Sequence, residues 1–168
     1  MPLVREIGPD DWPLLRDIRL AALREAPQAF ASAYEREAAF GETDWRRRVA
    51  SGATFFGYLP GGPGGSPGTG DASPAGLSTG LEEDPDTAEL VSMWVRPQAR
   101  GHGVGEALVS AVTAWAADRG FAAVHLWVSE VNLPARRLYE RCGFKLTGER
   151  QPLPSDPRLP EVGMRCAL

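Results

Sequence analysis

Three glycines alternate with other residues in Arg100-Gly101-His102-Gly103-Val104-Gly105, between a run of strand character and a run of helix character. On the N-terminal side, Glu89 to Val95 (ELVSMWV) reads as a strand that Pro97 closes. On the C-terminal side, Val104, Ala107, Leu108, Ala111, Val112 and Trp115 step by three and four, the spacing of one helix face, and Gly120 is its stop. The first turn of a helix carries unpaired N–H groups and the positive end of the dipole, which together suit an anionic group such as pyrophosphate. Glycine lets that group reach the backbone because no Cβ intervenes. Arg96 and Arg100 bracket the loop with positive charge. A tight turn without a ligand would use the same glycines, so on their own they leave both readings open.

Two common phosphate-binding patterns do not fit. A P-loop needs Gly-Lys-Ser/Thr, which is absent after these glycines. A dinucleotide fingerprint places its third glycine one residue later and sits on the first strand–helix unit of a parallel sheet. Here the unit falls mid-chain, after two helical segments.

The remaining segments give the frame. Leu3 to Ile7 reads as a short strand, and Trp12 to Ala26 as a helix with Leu15, Ile18 and Ala22 on one face, ended by Pro27. Asp44 to Ser51 reads as a second helix, with Gly52 as its cap, and Thr54 to Leu59 as a strand. Gly76 to Leu81 is a weak strand, followed by the acidic turn Glu82–Asp86. Ala122 to Val128 is a buried-type strand, and Asn132 to Cys142 a short helix ended by Gly143. Phe144 to Thr147 and Val162 to Leu168 are the last strands, with a proline-rich turn over 152–160 between them.

The 19 glycines and 15 prolines make up a fifth of the 168 residues, but they are unevenly placed. Residues 60–80 hold 8 glycines and 4 prolines. A segment this poor in large side chains buries too little to offset its ordering entropy, so 60–80 is expected to be a flexible surface loop inserted in one domain spanning 1–168. No apolar run is long enough to cross a membrane, and the N-terminus lacks the pattern of a signal peptide, so a cytoplasmic location is expected. Cys142 and Cys166 show neither metal spacing nor a disulfide framework and read as reduced thiols. A net charge of −4 offers no field for nucleic acid. Seventeen arginines against the single Lys145, with abundant alanine, glycine and proline, point to a GC-rich bacterial genome.

The pattern that does fit is Arg100-x-x-Gly103-x-Gly105 after the ELVSMWV strand, followed by Asn132-x-x-Ala135-x-x-x-Tyr139-x-x-x-Gly143-Phe144. These motifs, in this order, resemble those of the GNAT superfamily of N-acetyltransferases, most specifically over 89–146. The resemblance implies an α/β (α+β) fold: a mixed, mostly antiparallel sheet of six to seven strands with helices on both faces. It implies an enzyme that moves an acetyl group from acetyl-CoA directly to a primary amine through a tetrahedral intermediate, with no metal.

By that resemblance, the amides of Arg100, Gly101, His102, Gly103, Val104 and Gly105 take the pyrophosphate. A backbone N–H near Trp94–Val95 polarises the thioester carbonyl. Tyr139 is the general acid for the departing thiolate, because a phenol with a pKa near 10 is protonated at neutral pH; the plainer reading is a core aromatic. Asn132 caps its helix and in the family often contacts the pantetheine arm. Glu89 matches a position where relatives often carry a glutamate base acting through water; the plainer reading is an exposed strand-end carboxylate. His102 is a neighbour of solvent or phosphate, His125 is structural, and Cys142 is no nucleophile, since direct transfer needs no acyl-enzyme. Segment 27–45 lies where the family builds its acceptor wall, and the acidic run 82–86 reads as a solvated turn. The acceptor is a small-molecule or peptide amine; no nucleic acid or membrane partner is expected, and a homodimer stays open. Two alternatives remain: a non-catalytic acyl-CoA-binding module, and an acyltransferase using a larger donor such as succinyl-CoA.

Overall fold

The apolar spacing at Leu15, Ile18 and Ala22 produces helix α1, Trp12–Glu25, with those side chains and Leu23 buried. In the computed structural model, which describes residues 1–61 and 73–168, strand β1 (Leu3–Glu6) precedes α1. Helices α2 (Tyr34–Ala38) and α3 (Glu42–Ala50) follow it, and then strands β2 (Ala53–Tyr58), β3 (Gly76–Glu82) and β4 (Thr87–Val95). The chain continues through α4 (Val104–Asp118), β5 (Ala123–Ser129), α5 (Leu133–Arg141), β6 (Lys145–Leu153) and β7 (Asp156–Ala167).

The strands form one sheet in the order β1-β2-β3-β4-β5-β7-β6. Neighbours run antiparallel except β4 and β5, which are parallel. Helices cover both faces, as the resemblance implies. On one face Val104, Leu108, Val109 and Val112 of α4 pack against Ala88, Leu90, Val124 and Leu126. On the other, α1 and α3 lay Ile18, Ala22, Trp45 and Val49 over Phe56, Leu77 and Trp94. Burying such side chains contributes about 1.5–3 kcal/mol each, and the two layers fix the sheet between them.

Three expectations are corrected. Helix α2 has no counterpart in the sequence reading: five residues are too few to show a period, and its one buried side chain is the charged Glu37. Strands β6 and β7 run through the supposed turn over 152–160, where Pro152 stands opposite Pro160. Proline is tolerated there because β6 is the sheet's edge and β7 pairs with β5 only from Glu161 onward. The loop expected over 60–80 is shorter, because the weak strand expected at Gly76–Leu81 is β3, whose Gly76 to Gly80 are paired with β2 and buried. Glycine serves close packing at those two positions. A Cβ on Gly80 would stand 2.6 Å from the Trp115 ring, and one on Gly76 2.7 Å from the Trp94 carbonyl. The rest of that expectation falls chiefly on residues 62–72, outside the described residues.

Candidate active site

Strands β4 and β5 part company early. Their parallel register covers only Thr87–Glu89 against Ala123–His125, after which β5 continues along β7. At the same level β4 is irregular. Its register with β3 shifts between Leu77 and Thr79, and Ser92 there has φ 57°, the only non-glycine residue with positive φ among the described residues. Such strain persists only where the surroundings hold it, and here Arg19 Nη1 donates to Ser92 Oγ at 3.0 Å.

Beyond the bulge, the Arg96 N–H donates to the Ala75 carbonyl on the β3 side at 2.8 Å. Alternation along an extended strand therefore turns the Val95 backbone toward the open side and the Trp94 backbone into the β3 ladder. The Val95 carbonyl accepts from Arg100 Nε at 3.0 Å, as that orientation requires. Of the two amides expected to face a ligand, geometry leaves Val95 free to do so and occupies Trp94.

The gap opens into a cavity of about 690 Å³ between β4, the end of α1, the start of α4 and α5. Gly101 and Gly103 line it with φ of 79° and 84°, left-handed conformations that glycine adopts without a steric penalty. Gly105 lines it too, and a Cβ there would come 3.0 Å from Leu138. Arg100 lines it as well, whereas His102, whose side chain is exposed, and Val104, whose side chain is in the core, do not.

Tyr139 and Asn132 line the same cavity. The spacing along α5 brings Tyr139 inward, where its ring lies 5.9 Å from that of Phe144. Burial, with a smaller contribution from Cys142, pushes the phenol above its ordinary pKa, so it holds its proton. Asn132 Oδ1 accepts the Ala135 N–H at 3.3 Å, the capping role its sequence position predicts. Burial also pushes the Cys142 thiol up, which disfavours a thiolate.

Glu89 lies elsewhere. It does not line this cavity; its register partner Leu81 places it on the sheet face under α1 and α3. On that face it stands beside His125, whose Nε2 is 3.0 Å from Glu149 and whose Nδ1 is 3.7 Å from Glu83. Burial, then the Glu83 charge, pushes the Glu89 carboxyl above the usual range, against a smaller pull from His125. His125, expected to be structural, is indeed buried, but it belongs to a group of carboxylates that includes Glu89.

Residues 15–144 match the model of the acetyltransferase (GNAT) family. The chain belongs to that family. Among curated GNAT relatives, an uncharacterised N-acetyltransferase of Mycobacterium tuberculosis H37Rv is 35% identical over 80 residues, 48% of this chain and 51% of that one. A mycothiol acetyltransferase of Salinispora arenicola is 46% identical over 61 residues, 36% of this chain and 20% of that one. The matched segment thus spans a fifth to a half of these relatives' own length. Solved GNAT structures share the fold along the whole chain. An acetyltransferase from Streptococcus pneumoniae superposes with a TM-score of 0.78 at 15% identity, covering 100% of both chains. A putative acetyltransferase from Salmonella typhimurium, solved with acetyl-CoA, gives 0.73 at 18% identity, covering 100% of this chain and 94% of that one. No helix among the described residues is long and apolar enough to cross a membrane.

Sequence reasoning missed Glu25, which binds both Trp94 Nε1 (2.8 Å) and Arg100 Nη2 (2.9 Å) at the cavity wall. One signal was present: an acid in the last turn of a helix opposes the dipole and needs a partner. Those bonds hold the Glu25 carboxyl below its ordinary pKa against a smaller effect of burial. It also missed the pair Glu106–Arg141, joined at 2.8 Å across the same cavity.

Proposed function

We propose that this GNAT protein is an acetyl-CoA-dependent N-acetyltransferase with an amine acceptor. The observation that carries the reading is the convergence of the Gly101–Gly105 loop, the Val95 amide and Tyr139 on one cavity. The cavity fits the group: its glycine cradle leaves the backbone bare, and a Cβ on Gly101 would meet no protein atom within 4 Å. The thioester of acetyl-CoA would supply an activated acetyl group. The amides from Arg100 to Gly105, at the positive end of α4, bind the pyrophosphate. The Val95 N–H stabilises negative charge developing on the carbonyl oxygen, and Asn132 borders the pantetheine arm.

Glu89, acting through water, accepts a proton from the acceptor amine, whose lone pair attacks the acetyl carbon. As the C–N bond forms and the C–S bond breaks, Tyr139 donates its proton to the departing sulfur, and exchange with solvent resets both residues. The raised pKa of Glu89 suits a base, and burial keeps Tyr139 in the protonated form that a proton donor needs.

Release of free thiol from acetyl-CoA across a panel of amino acids, peptides, polyamines and aminoglycosides tests the reading, with succinyl-CoA as the competing donor. Turnover of acetyl-CoA with at least one amine class is expected. Tight acetyl-CoA binding without turnover of any amine would make the protein a binding module, and preference for succinyl-CoA would reassign the donor.

A further inference from the structure

A second cavity, of about 420 Å³, lies on the opposite face of the sheet. It is roofed by α1, α2 and α3 and floored by Leu77, Thr79 and Leu81 of β3 and by Val91 and Ser92 of β4. The two cavities lie on either side of the β4 bulge: Ser92 lines this one and its neighbour Met93 lines the other. Glu89 is on the same face as Val91, two residues earlier, roughly 7 Å along the strand. On the reading proposed above, this is where an acceptor amine waits.

Its walls are unusually basic for an acidic protein. Arg19, Arg36, Arg47 and Arg48 all line it, against one lining carboxylate, Asp44. Glu37, fully buried behind the wall, offsets one more charge: Arg19 Nε and Nη2 hold its two oxygens at 3.0 Å each, and Arg48 Nη2 approaches at 3.2 Å. That leaves an excess of two positive charges. Arg19 is committed to Glu37 and Ser92, and Arg47 leans toward Asp44 at 3.6 Å. Arg36 has no ion-pair partner among the described residues; it reaches only Ser32 Oγ, at 3.5 Å. Arg36 and Arg48 lie over the ring of Phe40, with their guanidinium carbons 5.8 and 6.0 Å from its centroid. Two guanidiniums are thus held beside one aromatic ring at a cavity wall. Burial, and then the charge of Arg19, push Arg48 below its ordinary pKa; Glu37 opposes them and Arg36 adds a smaller push.

Across the same face the sign reverses. Glu83 and Glu149 approach His125, Glu89 is its register partner, and Glu161 acts on Glu89; exposed Arg165, opposite His125 on β7, is the cation among these four carboxylates. A sheet face that is positive under α2–α3 and negative at β4–β5 orients a molecule carrying both charges. We infer that the acceptor is an amine that also bears an anionic group, which the forked donors of Arg36 and Arg48 hold while the amine faces the β4 bulge. Guanidinium suits a carboxylate or a phosphate because its planar fork can bond both oxygens at once. Phe40, Leu77 and Val91 leave an apolar stretch between the two ends.

The test uses compounds of one skeleton: ω-amino acids of increasing length, their primary carboxamides and their phosphonates. Equilibrium binding of the N-acetylated forms to the full chain is measured by calorimetry, and kcat/KM of the free amines by thiol release. At least one anionic series should bind and react about tenfold or more better than the carboxamides, the scale of a charge-assisted hydrogen bond. The better of the carboxylate and phosphonate series identifies the anion. In Arg36→Gln, which breaks no ion pair, that ratio should fall toward one; Arg48→Gln, checked for an unchanged fold by circular dichroism, should act likewise. Carboxamides binding as well as both anions, failure of every compound to bind, or a ratio untouched by Arg36→Gln would each overturn the inference. Anion-selective binding without turnover would uphold the anion site while sinking the catalytic reading.

Discussion

Arg19 and Glu37 form a two-pronged ion pair in which the arginine side chain is 6% exposed and the glutamate fully buried. The third donor of Arg19 goes to Ser92 Oγ, so the pair also clamps the β4 bulge. Removing one partner strands the other in the interior. Glu37→Gln should therefore destabilise the fold by about 3–5 kcal/mol, read by urea unfolding. Burial pushes the Glu37 carboxyl up, but Arg19 and Arg48 outweigh it and hold it below the usual range. The stability it contributes is thus present above the unfolded pKa of about 4.3 and is lost as pH falls through the lower, folded value. A Glu37→Gln variant with wild-type stability at pH 7 would show that the clamp is dispensable.

Tyr139→Phe keeps the ring against Phe144 and removes only the proton donor. On the proposed mechanism kcat should fall on the order of 10²-fold or more, while calorimetric affinity for acetyl-CoA changes little. Unchanged kcat would return Tyr139 to the role of a core aromatic.

What could be read in the sequence follows from distance along the chain. Gly101, Gly103, Asn132 and Tyr139 are legible because helix spacing and caps are local: Asn132 caps a residue three positions away. The basic cavity is not legible, since Glu37 meets Arg19 across 18 residues and Arg19 meets Ser92 across 73. Glu25 and Arg100 are 75 apart. Arg19 itself left a trace, a charge on the apolar stripe of Leu15, Ile18 and Ala22, which demands a buried partner but does not name it. The bulge at Ser92 is silent in sequence, because serine there looks like any strand residue.

Glu89 should set the acidic limb of the rate profile. Burial and Glu83 raise its pKa, with Glu161 adding to them and His125 opposing, so kcat/KM should fall below a midpoint higher than that of an ordinary glutamate, about 4.3. Glu83→Gln removes a like charge and should move the limb to lower pH; Glu89→Gln should abolish it together with most of the activity. A limb that stays in place in Glu89→Gln would assign the titration to another group.

Gly101 and Gly148 separate backbone strain from ligand contact. Both have positive φ, 79° and 90°, and a Cβ on either would meet no protein atom within 4 Å. Gly148 is on β6 and does not line the cavity, whereas Gly101 does. Valine at either position forces a β-branched residue into the left-handed region, at a cost of about 1–3 kcal/mol, so both variants should lose a few degrees in Tm. Only Gly101→Val puts a side chain where the pyrophosphate would lie. Calorimetry should show acetyl-CoA affinity lost in Gly101→Val and kept in Gly148→Val. Equal affinities in the two variants would mean that the glycine loop is a turn and nothing more.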